Sequence, residues 1–409
     1  MNEAVDILSD TAAIRMEIIM PKKKILVTAS TFPRWEQDTE PRFILDYCIG
    51  LSKFYDVTAL VPAAVGAKHR EILEGIPVIR YHYFPIHAWE TLCYPGAIVP
   101  RIKEKKARVL LVPFLLLAQL LNLRKYEKEF DLIHAHWLIP QGILTAFCKK
   151  PFLVTGHGGD VGELNGSVFR LLKKRCLKKA SAVTVVSKHL QDILKEKYGA
   201  ANTHIIPMGC NTSYFSPANH VENYFGQGSK KVVLFVGRLA EKKGTAYLIR
   251  AMQSVDALLV IAGSGPLEAA CKALVKELHL EDKVRFLGPK PHTQLRAVYA
   301  SADAFAAPSV TTKNGDVEGF GLVILEAMAS GLPVVASRSG GITDIIRDGE
   351  NGLLAGERNV EELAAQINAV LSSSALSHKL SLASLATAAQ FDYSVIAEKY
   401  HDIMENSCH

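Results

Sequence analysis

The sequence predicts an α/β protein of two domains, each a parallel sheet with helices on both faces, facing one another across a cleft. Three observations lead there. Short apolar runs alternate with helical stretches along most of the chain, which is the alternation that builds βαβ units. A segment rich in Gly, Pro, Asn and Ser, 207–230, interrupts that series near its middle. The length, 409 residues, is enough for two or three cores at roughly 150 residues each.

Taken in order, residues 1–20, "MNEAVDILSDTAAIRMEIIM", lack a basic segment followed by an apolar one and so do not read as a signal peptide. They read as an N-terminal extension, with Met16 and Met20 as alternative starts. The first domain spans 21–215. Its strand "KKKILVTAS" runs into the loop "TFPRWEQDTEPR", the helix "FILDYCIGLSKF" and the strand "DVTALVP". Further strands follow at "DLIHAHW", "PFLVTGHGGD", "ASAVTVVS" and "THIIPMG". Between them "ARVLLVPFLLLAQLLNL", 107–123, falls short of the ~20 apolar residues of a membrane span and carries Pro113, Gln119 and Asn122. It is expected to be a helix, buried in the core in preference to lying on the surface. Residues 216–229 form the linker. The second domain, 230–385, repeats the pattern with "KVVLFVGRL", "ALLVIAGSGP", "KVRFLGP", "DAFAAPS" and "LPVVAS". Residues 386–409 form a C-terminal helix able to pack back on the first domain.

Composition narrows the function. A net charge of +6 is compatible with an anionic small molecule or an anionic membrane surface. It is too weak and scattered for nucleic acid, and no aromatic-basic motif accompanies it. The seven cysteines are dispersed and form no CxxC pair, which argues for a reducing compartment and against a disulfide framework or a zinc site.

The chemistry concentrates in "GDVEGFGLVILEAMASGLPVVAS", 315–337. Gly319-Phe320-Gly321 precedes Leu322 at the start of a helix, where exposed amides and the helix dipole favour a phosphate and glycine permits close approach. Glu318 stands beside that anion site and Glu326 inside the apolar helix. Two readings fit. One is an ordinary N-terminal glutamate plus a satisfied core glutamate. The other is a ligand with phosphate at its centre and hydroxyls at both ends, which describes a nucleotide sugar. In "FVGRLAEKKG", Gly237 and Arg238 follow a strand and Lys243 stands five residues on; two cations there can neutralise a departing diphosphate, although solvated surface charges would look the same. The "GSGP" turn with Gly263 and Gly265 lacks the spacing of a hydrolase elbow and reads as a strand-end turn lining the same site. His134 and His136 share one face of a strand without a third ligand nearby, and no Asp-x-Asp occurs, so neither metal nor other cofactor is inferred.

"GRLAEKKG", "AGSGP", "VRFLG" and "EGFGLVILEAMASGLPVVAS…GGITDIIRDGENGLL" together resemble the donor half of the retaining glycosyltransferases of family 4, or group 1, over roughly 232–370. The first half matches more loosely through "IHAHW", "VTGHGGD" and "PMGCNTSYFSP". The resemblance implies the GT-B fold, two Rossmann-like domains with a nucleotide-sugar donor on the second, and transfer with retention. It implies phosphate contacts from Arg238 and Lys243, donor-sugar contacts from Glu318, ribose contacts from Glu326, a cleft role for His157, and a base-contacting loop near 287–290. The first βα loop departs from the family's frequent Gly-Gly. Arg34, Asp38 and Arg42 in and after that loop, with His136 and Asp160, are assigned to the acceptor side.

The expected activity is transfer of a hexose-type sugar from a nucleoside diphosphate to a hydroxyl of a glycan or lipid-linked acceptor. The alternatives are a nucleotide-sugar epimerase on the same scaffold and a non-catalytic nucleotide-sugar sensor. "FRLLKKRCLKKA", 169–180, is basic and amphipathic; it is either a plain solvated face or a contact with an anionic membrane. The expected location is the cytoplasm, either free or peripheral at the inner face of the membrane.

Overall fold

The computed structural model describes residues 21–164, 166–226 and 228–407; the expected N-terminal extension and Cys408 lie outside these. In the first domain β1 (Lys24–Thr28), β2 (Asp56–Pro62), β3 (Arg70–Leu73), β4 (Ile76–Tyr81), β5 (Leu132–His136), β6 (Phe152–Gly156), β7 (Ala182–Val185) and β8 (His204–Ile205) form one sheet in the order β3-β4-β2-β1-β5-β6-β7-β8. Every pairing is parallel except the β3–β4 hairpin, whose Glu74-Gly75 turn has positive φ at both residues, as a tight hairpin requires. In the second domain β9 (Val232–Val236), β10 (Leu258–Ala262), β11 (Val284–Gly288), β12 (Ala304–Ala307), β13 (Val334–Ser337) and β14 (Leu353–Ala355) form a wholly parallel sheet in the order β11-β10-β9-β12-β13-β14. Strands covered on both faces must be apolar throughout, and β9 (VVLFV) and β10 (LLVIA) are buried at every position.

The chain order reverses beside β1, which pairs with β2 and β5, and beside β9, which pairs with β10 and β12. Such switch points open a crevice at the carboxyl ends of the strands. The loops entering it are 29–42 after β1, 237–244 after β9 and 308–321 after β12.

The chain crosses between domains twice, and the two crossings bond to each other. The Cys210 N–H donates to the Phe391 carbonyl at 2.8 Å, and Asp392 accepts from the Thr212 hydroxyl at 2.6 Å. The final helix, Tyr393–Ser407, then packs on the Phe43–Leu51 helix of the first domain. A Cβ at Gly50 would stand 2.9 Å from the Tyr393 carbonyl oxygen, so glycine sets how closely these two helices approach. Lys23 pairs with Glu405 at 2.9 Å, and the His401 ring stacks on Phe54 at 4.3 Å.

Two surface helices differ from the sequence expectation. The Val112–Tyr126 helix, expected in the core, buries Leu115, Leu123 and Tyr126 but leaves Phe114, Leu117 and Leu121 exposed. In the basic Ser167–Lys179 helix, Lys173 points inward, fully buried, and its ammonium donates to the carbonyls of Val161 and Glu163 at 3.2 and 2.6 Å. Burial pushes that amine down to about 8.

Candidate active site

A cleft of about 650 Å³ lies between the two sheets. From the second domain Gly237, Arg238, Lys242, Lys243, Gly263 and the start of the Leu322–Ala329 helix line it; Asp38, Arg42, Trp137 and His157 line it from the first.

The β9 loop supplies the cations. Arg238 is part-exposed, with one guanidinium nitrogen 3.9 Å from Glu104 of the first domain. Lys243 closes a short helical turn, 241–243, and its ammonium pairs with the Glu318 carboxylate. Lys242 pairs with Asp316 at 3.3 Å. Burial alone would raise the Glu318 pKa, but Lys243, Lys242 and the Gly319 amide together hold it below the usual carboxylate range. Glu318 is therefore ionised and matched to the Lys243 ammonium.

The Leu322–Ala329 helix starts at the cleft wall, which Phe320 and Gly321 before it and its first residues Leu322 and Val323 line. The first amides of a helix have no intrahelical acceptor, so this wall suits an anion. Two glycines are there for lack of space. A Cβ at Gly319 would overlap the His157 carbonyl oxygen across the cleft, and one at Gly263 (φ +137°) would overlap the Gly237 carbonyl. Gly265 packs against the Leu239 backbone behind the wall.

Glu326 also lines the cleft, and its carboxylate accepts from the Tyr299 hydroxyl at 2.7 Å. Burial pushes this carboxyl up to about 7, only partly offset by Tyr299. A carboxylate so placed gains from any further hydroxyl that donates to it.

Opposite stands His157, after β6. Its Nε2 is 3.0 Å from His136 Nδ1, and its ring leans on Trp137 and Phe43. Burial lowers His157 to about 3 and His136 well below its usual value, so both rings are neutral. His136 Nε2 is buried without a partner. A bare nitrogen there costs less than an unpaired N–H. In the tautomer where His136 donates from Nδ1 to His157 Nε2, His157 carries its own proton on Nδ1, the nitrogen left to meet a ligand.

Three residues expected on the acceptor side do not line the cleft. Asp160 is taken up by backbone: its carboxylate accepts from the amides of Leu138 (2.8 Å), Gly158 (2.8 Å) and His157 (3.1 Å), bracing the loop that carries His157. His136 lies buried behind His157. Arg34 closes a two-pronged pair with Asp38 at 2.6 and 2.8 Å and stacks on Trp35, which stiffens the β1 loop. Arg42 does reach the cleft, held by Asp46 and Glu74, both at 2.7 Å.

Sequence reasoning missed Lys242, Tyr299 and Glu40. Glu40 lines the cleft, is buried, and accepts from the Gly96 amide at 2.8 Å, while its Oε2 has no partner. Only the long-range fold places Gly96 beside it, so no local signal could have found it. His134 bonds to Tyr47 and Thr155, both at 2.7 Å, inside the sheet, which satisfies it as a core residue.

Residues 42–214 match the family described as Glycosyltransferase Family 4, and residues 220–384 match Glycosyl transferases group 1. An uncharacterized glycosyltransferase of Methanocaldococcus jannaschii is 32% identical over 268 residues, covering 60% of this chain and 67% of that one. A GDP-mannose-dependent alpha-(1-6)-phosphatidylinositol monomannoside mannosyltransferase of Mycolicibacterium smegmatis is 33% identical over 54% of this chain and 61% of its own length. Among solved structures, sucrose-phosphate synthase from Thermosynechococcus elongatus superposes with a TM-score of 0.75 over 94% of this chain and 99% of that one, at 23% identity. Anabaena HepE in complex with UDP and glucose does so with 0.73 over 94% and 100%, at 22% identity. Two parallel-sheet α/β domains arranged as in these GT-B glycosyltransferases, matched over both halves, place the chain in the family 4 (group 1) glycosyltransferases.

Proposed function

We propose that this glycosyltransferase moves a hexose-type sugar from a nucleoside-diphosphate sugar to an acceptor hydroxyl, with retention of anomeric configuration. The observation that carries the proposal is the convergence in one cleft of Arg238, Lys242, Lys243 and a helix start, with the Glu318 carboxylate beside them and Glu326 further along the helix. In this reading the diphosphate sits between the three cations and the Phe320–Val323 amides. Glu326 accepts from the ribose hydroxyls. Glu318 and His157 Nδ1–H hold the sugar. The closed Lys243–Glu318 pair opens as the donor enters, Lys243 turning to phosphate and Glu318 to sugar hydroxyls. As the glycosidic bond to phosphate breaks, these charges stabilise the leaving diphosphate, whose own oxygen takes the proton of the incoming hydroxyl on the same face. That HepE is seen with UDP and glucose, and that the mycobacterial relative is GDP-mannose-dependent, supports a nucleotide-sugar donor without choosing its base.

The test is incubation with UDP-, GDP- and ADP-sugars, with and without a membrane lipid extract, followed by nucleotide release and NMR of the product anomer. Acceptor-dependent release with retention is expected. Isomerisation without acceptor, binding without turnover, or an inverted product would overturn the reading.

A further inference from the structure

We propose that the face formed by Leu110, Phe114, Leu117 and Leu121, with Trp89 beside it, docks into the interfacial layer of an anionic lipid bilayer. Its observations are separate from those behind the transfer reaction. From Lys106 to Glu129 the chain is one continuous helical stretch, long and apolar enough by composition to cross a membrane. Its two sides have different fates. Leu111, Leu115, Leu123 and Tyr126 are buried against the first domain. Leu110, Phe114, Leu117 and Leu121 recur at four, three and four residues, so they form one stripe, with exposures of 70, 46, 57 and 59%. The buried stripe ties the helix to the protein, so it lies along a membrane and does not span it.

The stripe extends sideways. Phe84 packs edge-on to Phe114 at 5.0 Å and stacks with Trp89 at 5.7 Å; Trp89 is 58% exposed. A tryptophan ring, apolar in body and polar at its N–H, suits the boundary between headgroups and acyl chains. Exposed lysines stand at both ends, Lys103, Lys105 and Lys106 before the stripe and Lys125 and Lys128 after it. Like charges at both ends oppose the stacking of a second copy of this chain on the stripe. The same charges complement phospholipid phosphates. This face also adjoins the cleft: Glu104, on the helix that carries Lys103, reaches Arg238 across its mouth at 3.9 Å.

The experiment is flotation of the full-length chain with phosphatidylcholine vesicles, with and without phosphatidylglycerol, at low and high salt. The wild type is expected to float with the anionic vesicles and to be released by salt. Leu117→Glu with Leu121→Glu should weaken partition by roughly tenfold per leucine. Lys103→Gln, Lys105→Gln and Lys106→Gln together should weaken the preference for anionic lipid. Leu382→Glu, an equally exposed leucine in the second domain, should float like the wild type. Donor binding in solution should be unchanged in all of them. Should the double variant fail to fold, the wild-type Trp89 emission still reports: it should shift to the blue on anionic vesicles, and Trp89→Phe should remove the shift. Absence of wild-type binding at low salt, or wild-type binding by a folded double variant, overturns the proposal. So does a wild-type dimer that the double variant converts to monomer without any vesicle binding.

Discussion

Glu326 makes donor binding a proton-linked event. Its carboxyl titrates near 7 where an ordinary glutamate titrates near 4.5, chiefly because burial penalises the charge. At ~1.4 kcal/mol per tenfold, ionising it in the empty cleft costs roughly 3 kcal/mol more than in water. Ribose hydroxyls donating to the carboxylate would favour the charged form and lower that value. About half of the empty sites carry the proton at pH 7, so binding should release roughly half a proton per donor, and affinity should climb toward tenfold per pH unit below about 7 and flatten above it. Calorimetry of an intact nucleotide sugar in buffers of different ionisation enthalpy measures this directly, because its diphosphate carries no proton that titrates near neutrality. Glu326→Gln should abolish the linkage. Tyr299→Phe removes a donor that favours the charged form, so it should move the midpoint upward. Flat affinity without proton release in the wild type, or linkage that survives in Glu326→Gln, would refute the assignment of Glu326 to the ribose.

The same carboxyl sets a stability expectation in the ligand-free protein. Its folded value lies above the unfolded one, so the folded chain binds the extra proton and loses stability as pH rises from about 4.5 through about 7. Glu326→Gln should therefore raise the melting temperature at alkaline pH by a few degrees and leave it unchanged at acid pH, as scanning calorimetry would show. Lys243→Ala should lower turnover by roughly 10²-fold or more while the chain stays folded; near wild-type turnover would remove Lys243 from the diphosphate. Turnover should survive EDTA, and its loss on chelation with recovery in Mg²⁺ or Mn²⁺ would reveal a metal requirement. Asp160→Ala leaves three backbone amides without their acceptor, so it should cost roughly 1–3 kcal/mol of stability and lower kcat through a displaced His157, with free-nucleotide affinity unchanged by calorimetry.

Much of the fold was legible because its causes are local. A strand buried on both faces must be apolar at every position, and runs such as "VVLFV" and "LLVIA" declare themselves without knowledge of their neighbours. Gly319, Gly321 and the helix after them are legible for the same reason, since a tight loop before an apolar helix leaves its own composition in the chain. The directions of polar side chains are another matter, because a carboxylate or a lysine turns toward whichever partner the fold brings closest. Asp160 faces the Leu138 amide and not the cleft, because β5 and β6 are neighbours. Lys173 belongs to the basic stretch 169–180, yet it turns inward onto the carbonyls of Val161 and Glu163. Helix 112–126 is apolar on nearly every side, so periodicity could not say which stripe the sheet would cover. By itself the sequence determined two parallel-sheet domains, the glycine-lined helix start and the pair of glutamates. Only the tertiary structure decided that Lys243 would hold Glu318, that Tyr299 would reach Glu326, and which leucines would be left facing solvent, because each depends on contacts between segments that chain order does not bring together.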